Sequence, residues 1–106
     1  MTTSATDALG ECSAETVLHF EQLGNVVSAR YRGGQVIDGY LIGVLNLNKI
    51  AFRYVQIGAK LEVDGGHSEG EFEVLTDGRL QLTEHFHWDT RCGSGTNVFI
   101  QVGDTG

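Results

Sequence analysis

The side chains best suited to chemistry in this sequence are Glu84, His85 and His87, which lie in one run of alternating apolar and polar residues. Such alternation predicts an extended strand whose successive side chains point to opposite faces. It places Glu84 on the apolar face, between Leu82 and Phe86, and both histidines on the other face. An ionised carboxylate on an apolar face is costly unless something pairs with it. Glu84 is therefore the leading candidate for a functional side chain.

Three roles are open for Glu84. It could be a general acid or base, or the polar anchor of a ligand, with a pKa raised by burial. It could instead form a buried ion pair with Arg53, or a hydrogen bond with Tyr31 or Tyr54. A β-bulge could also turn it outward. Ser68 is a further candidate for the same polar site.

The two histidines could bind one metal ion, because side chains at i and i+2 on a strand point the same way. A third ligand would have to come from His67, Glu69 or Glu71 on the preceding strand. Alternation places this set on the outer face, so we interpret His85 and His87 as exposed strand residues. We predict no metal site and no cofactor.

Composition indicates one small globular domain without a nucleic-acid or membrane partner. The chain has 106 residues, 41% of them hydrophobic, and a net charge of −7, which would repel nucleic acids and anionic membranes. Cys12 and Cys92 are the only cysteines. Free thiols, and the lack of a signal-peptide pattern in residues 1–14, predict a cytoplasmic protein.

The chain reads as successive short strands joined by turns, with 15 glycines and no proline. We expect a flexible segment at 1–14, one β domain at 15–102 and a tail at 103–106. Turns are predicted at several glycine-containing sites, and no helical period of convincing length appears. The predicted strands are 15–22, 26–32, 35–47, 49–57, 67–75, 79–89 and 96–102, with a possible short extension at 61–63.

This pattern predicts an all-β fold, an antiparallel up-and-down meander of seven or eight strands closing into a barrel or half-barrel. A two-sheet sandwich is the alternative. A barrel would have an apolar interior with a few polar groups, where we expect a small apolar or amphipathic molecule to bind. The predicted ligand-binding residues are Phe20, Tyr31, Arg53, Tyr54, Ser68, Phe72, Leu82, Phe86 and Trp88.

Two other functions remain open. In a small isomerase- or cyclase-type enzyme, Glu84 would be the catalytic acid or base. In a structural or oligomerisation module, the barrel would be packed solid, since a barrel of eight or fewer strands leaves little internal space.

The strands within residues 36–57 are apolar on both faces, which predicts an exposed apolar patch. Ile42, Val44, Ile50 and Phe52 would form it, and we expect it to be a homodimer interface. The alternative is that residues 1–14 fold back over it.

A family resemblance covers about two-thirds of the chain. Its motifs are the run 24–31 (GNVVSARY), Gly33-Gly34, the run 39–43 (GYLIG), Arg53-Tyr54 and the run 77–84 (DGRLQLTE) before Trp88. In these the chain resembles small bacterial proteins often labelled N-acetylglutamate synthase, which implies a small β protein without an established activity. The phosphate-binding loop typical of acyl-CoA transferases has no counterpart here. The predicted barrel is also similar to the calycins, barrels that hold apolar ligands.

Overall fold

The fold is a single antiparallel sheet rolled into a barrel. The computed structural model describes residues 1–6, 10 and 15–102. Eight strands follow one another along the chain, and each is hydrogen-bonded to its sequence neighbour. They are β1 (Thr2–Thr6), β2 (Val17–Leu23), β3 (Val26–Gly33), β4 (Val36–Asn46), β5 (Lys49–Gly58), β6 (Val63–Val74), β7 (Leu80–Trp88) and β8 (Ser94–Ile100).

The seven strands β2 to β8 form the predicted antiparallel meander, which is confirmed. β2 and β8 do not pair directly, and β1 lies between them. β1 pairs with β8 at four positions but with β2 only at Thr2 and Val17. The Met1 amino group donates to the Leu18 carbonyl at 2.6 Å, and the Leu18 amide donates to the Met1 carbonyl at 2.7 Å. Closure of the barrel therefore depends on the short pairing between β1 and β2.

The strand β1 corrects the prediction that residues 1–14 form a flexible segment outside the domain. Thr2–Thr6 is extended and occupies the edge that β8 would otherwise leave unpaired. Threonine is favoured in strands, and an open edge is a strong template for one. The other predicted parts of this segment, residues 7–9 and 11–14, and the tail at 103–106 lie outside the described residues.

A second correction concerns Asp64-Gly65-Gly66, which the sequence predicts as a turn. These residues lie inside β6, opposite Tyr54 to Gln56 of β5. Gly66 is needed there for space, because a Cβ on it would lie 2.5 Å from the Tyr54 hydroxyl. The glycine pair therefore reflects close packing and not a change of chain direction, since Gly66 meets the His87 carbonyl as well as the Tyr54 ring and Gly65 meets the Tyr54 carbonyl.

The barrel interior is closed in its middle by fully buried apolar side chains. Leu82 of β7 and Phe99 of β8 face each other across paired strands and are 0% and 1% exposed. Leu41 of β4 and Ile50 of β5 belong to the same buried cluster. This middle layer separates the two ends of the interior.

The outer face of β4 to β6 is apolar and exposed, as predicted, but its composition differs. Ile42 and Val44 are 51% and 57% exposed. Ile50 and Phe52 are buried inside the barrel, which corrects their assignment to the patch. Tyr40, Val55, Ile57 and Val63 are the further exposed residues of this face.

Candidate functional site

Glu84 lies inside the barrel and is 6% exposed, which excludes the outward bulge. Regular pairing of β7 with both neighbours fixes its direction, since Glu84 lies opposite Gly70 of β6 and Asn97 of β8. The glycine leaves space on one side, and the asparagine supplies an amide on the other. Glu84 thus stands just beyond the middle layer, with Phe86 and Trp88 continuing its face of the strand.

Two neutral side chains hold the Glu84 carboxylate. The Ser68 hydroxyl donates to Oε2 at 2.5 Å, and the Asn97 Nδ2 group donates to Oε1 at 3.0 Å. Burial raises the pKa of Glu84, and these two hydrogen bonds oppose that rise because they favour the charged form. The predicted ion pair with Arg53 is wrong, and two hydrogen bonds from neutral donors take its place.

Asn97 carries an unsatisfied acceptor beside this carboxylate. This residue is 4% exposed, and its Oδ1 atom has no hydrogen-bond partner among the described residues. A buried amide oxygen without a partner is costly, and such groups are rare in native proteins. The unpaired oxygen lies on a residue that lines the cavity in front of Glu84. Because the Oδ1 atom is itself buried, a molecule that enters the cavity reaches it once neighbouring side chains shift.

Aromatic rings form most of the remaining wall. Tyr54 packs edge-on against Trp88 at 5.4 Å between ring centroids, and Phe86 does so at 6.0 Å. Tyr31 donates its hydroxyl proton to Gln56 Oε1 at 2.8 Å, which adds a buried polar pair to the same wall. A few polar groups among aromatic walls are typical of small-molecule sites.

The cavity enclosed by these side chains is small. Its volume is about 20 Å³, with Gly10 completing the lining. About 10–15 Å³ is enough for a single water molecule, whereas drug-sized ligands occupy roughly 300–1,000 Å³. In this conformation the cavity, which we call the inner cavity, therefore admits one group of the size of water.

The loop between β7 and β8 contacts Trp88, one of the residues that line the inner cavity. The Arg91 guanidinium lies over the Trp88 ring, 4.0 Å from its centroid. Arg91 also lies 3.8 Å from Asp64, which accepts a hydrogen bond from Thr90 at 2.6 Å. These contacts fix Trp88 where β7 ends, beside the cavity.

A second, larger pocket opens at the opposite end of the barrel, and we call it the open-end pocket. It has a volume of about 560 Å³ and lies among the turns after β2, β4 and β6. Phe20 and Phe72 line it, with their rings edge-on at 6.2 Å. Glu21 and Glu73 stand at its edge, and no residue of the Glu84 group lines it.

The structure thus divides the predicted ligand-binding residues. Tyr31, Tyr54, Phe86 and Trp88 line the inner cavity with Glu84, and Ser68 supports that carboxylate. Phe20 and Phe72 line the open-end pocket, and Leu82 lies in the layer between them.

Arg53 is a correction, because it is not part of the interior. Its side chain is 78% exposed and pairs with Asp89 at 3.3 Å on the outer surface. Phe52 and Tyr54, its neighbours on β5, occupy the inner face and leave Arg53 to the outer one. A buried arginine would also have needed a second set of hydrogen-bond partners.

The histidines lie on the outer face, as the alternation predicts. His67 and His87 are paired across β6 and β7 and stack at 5.0 Å, and His67 Nδ1 lies 3.0 Å from Asp89. His85 Nε2 lies 3.7 Å from Glu71. Within the described part of the chain, no group of three or more histidine, cysteine or acidic side chains is arranged to hold a metal ion.

Sequence reasoning missed Asn97 and Gln56. Asn97 shares a strand face with Phe99, and Gln56 shares one with Phe52 and Tyr54. A polar residue in register with large aromatic side chains was the signal that identified Glu84. The same signal applied to β5 and β8 would have found both residues.

Comparison with known protein families gives one match. A family model described as avidin-like protein matches residues 1–102. Searches of curated proteins and of solved structures returned no match. The match agrees with the calycin-like barrel and gives no support to the resemblance to proteins labelled N-acetylglutamate synthase. Since the model spans nearly the whole chain, this protein belongs to the avidin-like family, a family of β-barrels.

Proposed function

We propose that this protein is a small-molecule-binding barrel whose ligand enters the inner cavity. The observation that supports it most is the buried polar group of Glu84, Ser68 and Asn97 beneath aromatic walls, with one acceptor left unpaired. A solid structural core has no need of an unsatisfied amide oxygen. Ligand binding in a barrel also agrees with the family to which the chain belongs.

The size of the inner cavity sets a condition on this function. A ligand larger than a few atoms has to displace wall residues, such as Trp88 at the end of β7 and Tyr54, which packs against it. Their aromatic contacts are worth about 0.5–1.5 kcal/mol each beyond the burial of the rings, so a ligand has to bury these rings again in its own contacts. Ligand binding should therefore change the surroundings of Trp88.

Trp88 provides the test, because it is the only tryptophan of the chain. We would titrate the protein with a panel of water-soluble small molecules, biotin among them, and record Trp88 fluorescence together with the heat of binding. The expected result is a saturable signal for at least one compound. A matched variant, Asn97→Leu, should lose binding because it removes the unpaired oxygen and fills the space.

The control variant is Val98→Leu, a change in the neighbouring residue of the same strand whose side chain does not line the cavity. It should bind like the wild type. If no compound gives a saturable signal in either protein, the barrel is a packed structural module and the proposed function is wrong.

A catalytic role for Glu84 is the second candidate, in an isomerase- or cyclase-type reaction. The raised pKa of Glu84 favours it, because a carboxyl group that titrates nearer neutral pH exchanges protons more readily. Glu84→Gln distinguishes the two functions. It should leave the binding of a neutral ligand intact and abolish any proton transfer.

We also propose that the exposed face of β4 to β6 joins two copies of this chain. Tyr40 lies opposite Val55, and Ile57 lies opposite Val63, so apolar side chains of three strands form one continuous surface. Arg53 lies on the same face, opposite Ile42, and pairs with Asp89 at 3.3 Å. A sheet face of this kind can pair with itself about a two-fold axis. Burying it would remove the largest apolar cluster on this side of the barrel from water.

Mass measurement by light scattering over a wide concentration range tests this interface. The wild type should show a dimer that dissociates on dilution, and Ile42→Glu should be monomeric at all concentrations. His19→Glu, on the outer face of β2 and outside the β4 to β6 face, is the control and should remain dimeric. A monomeric mass of the wild type at every concentration would overturn the interface.

A cytoplasmic location stays a prediction. Cys92 is a free, exposed thiol, which is compatible with a reducing compartment. Among the described residues, no helix is long and apolar enough to cross a membrane.

A further inference from the structure

We propose that the inner cavity binds the ammonium group of a primary amine, an inference that rests on the proposed ligand-binding function. The floor of the cavity offers mainly acceptors. The Ser68 hydroxyl proton and one Asn97 N–H are already donated to Glu84. What remains for a guest is the second Asn97 N–H as a donor, with Asn97 Oδ1 and the unused lone pairs of the two carboxylate oxygens as acceptors.

A primary ammonium group matches this floor in number and kind. It has three N–H donors and no acceptor, and the floor presents three oxygen atoms, two on Glu84 and one on Asn97. A carboxylate group of a ligand would instead place a second negative charge beside Glu84. The floor therefore selects against anionic ligands.

The size of the inner cavity also favours a primary ammonium group. A volume of about 20 Å³ accommodates one group of the size of water, and an ammonium nitrogen with its protons is such a group. Planar cations with several nitrogen atoms need more space. A primary ammonium enters with the smallest displacement of the surrounding side chains.

The charges around the inner cavity also favour a cation. Among the described residues that line the cavity, Glu84 is the only one with a formal charge. The rings of Phe52, Tyr54, Phe86 and Trp88 surround the same space, and aromatic faces attract cations. A cation there has one counter-ion and is surrounded by aromatic rings.

Binding should release protons and strengthen as pH rises. Burial raises the pKa of Glu84, whereas an adjacent ammonium favours the ionised carboxylate. In the described part of the chain, the other titratable groups that face this space are Tyr31 and Tyr54, whose hydroxyls donate to Gln56 and to the His87 carbonyl. His85, on the outer face of the same strand, acts on Glu84 weakly and in the direction of a lower pKa.

The test compares three probes of similar shape, namely propylammonium, 1-propanol and propionate, by calorimetry and Trp88 fluorescence. Propylammonium should bind most tightly. Glu84→Gln should weaken it by about 10- to 100-fold, the range for losing a hydrogen bond to a charged group. Glu69→Gln, which removes an exposed carboxylate from β6, should leave the affinity unchanged.

The outcomes separate this inference from the proposed function. If 1-propanol or propionate binds as tightly as propylammonium, the ammonium preference is wrong and the cavity remains a ligand site. If none of the three binds but another compound of the panel does, the preference is again wrong and the function stands. Equal weakening in Glu84→Gln and Glu69→Gln would show a non-specific charge effect and would also overturn it.

Discussion

The two ends of the barrel interior differ in what they offer a ligand. The inner cavity has a volume of about 20 Å³ but three buried polar side chains, one of which has an unpaired oxygen. The open-end pocket has about 560 Å³ of space, framed by Phe20 and Phe72, with its carboxylates at the edge. Space alone would favour the open end, but orientation and specificity come from converging polar groups. In this barrel the converging polar groups therefore lie at one end of the interior, and most of the pocket volume lies at the other.

The largest effect on stability is expected in the middle layer, which separates the two ends of the barrel interior. Leu82→Ala should lower the free energy of unfolding by about 2–5 kcal/mol, because it leaves a cavity in the middle layer. Leu47→Ala is the matched control, since Leu47 is 91% exposed at the rim of the open-end pocket. It should cost no more than about 0.5 kcal/mol. Urea unfolding of both variants measures the difference, and equal losses would contradict the separating layer.

A smaller effect is expected from the support of Glu84. Ser68→Ala should lower the free energy of unfolding by about 1–3 kcal/mol, because it removes a buried donor to the carboxylate. Ser28→Ala, on the outer face of β3, is the control and should change stability by less than about 0.5 kcal/mol. Thermal unfolding at constant pH compares them. A neutral Ser68→Ala would mean that Glu84 does not depend on this hydrogen bond.

The pH dependence of stability reports the burial of Glu84 at the inner end of the barrel. A raised pKa means that the folded state binds the Glu84 proton more tightly than the unfolded state does. This contribution is complete below the ordinary pKa of glutamate and is lost as pH rises through the raised value. The wild type should therefore lose stability relative to Glu84→Gln over that window.

Glu69→Gln controls for the loss of one carboxylate in this experiment. Urea unfolding at a series of pH values should show the divergence from the wild type only for Glu84→Gln. Parallel curves for Glu84→Gln and the wild type would place Glu84 in a well-solvated setting and contradict its burial.

The smallest effect is expected at the open end. Phe72→Leu removes an edge-on contact with Phe20 and should cost about 0.5–1.5 kcal/mol, the usual worth of an aromatic pair. Ligand binding reported by Trp88 should not change. A loss of affinity in this variant would show that the ligand spans both ends, and that the two ends of the barrel do not act separately.

Much of the site was predictable because strand alternation is a local property. The period of two residues along β7 placed Glu84 on the face of Leu82, Phe86 and Trp88, and the structure agrees. The same rule put the histidines outside. It also identified the meander, since short glycine turns between alternating segments leave few other arrangements.

The partners of Glu84 could not be predicted in the same way, because they lie on other strands. Cross-strand register decides that Asn97 lies opposite Glu84 and that Ser68 lies near enough to donate to it. Arg53 was misplaced because the sequence of β5 is compatible with either face inward. The choice was made by Phe52 and Tyr54, which lose more by exposure than the arginine gains by burial.

The strands, most of their turns, and the face on which each side chain of β7 lies could be predicted from the sequence. These features follow from local alternation and turn chemistry. Only the tertiary structure decided that β1 completes the barrel, that Gly66 makes room for Tyr54, and that a single carboxylate meets two neutral donors inside. Those features depend on which strands become neighbours and on how much space their side chains leave between them. Such quantities are set by packing across the barrel and have no signature within any one segment.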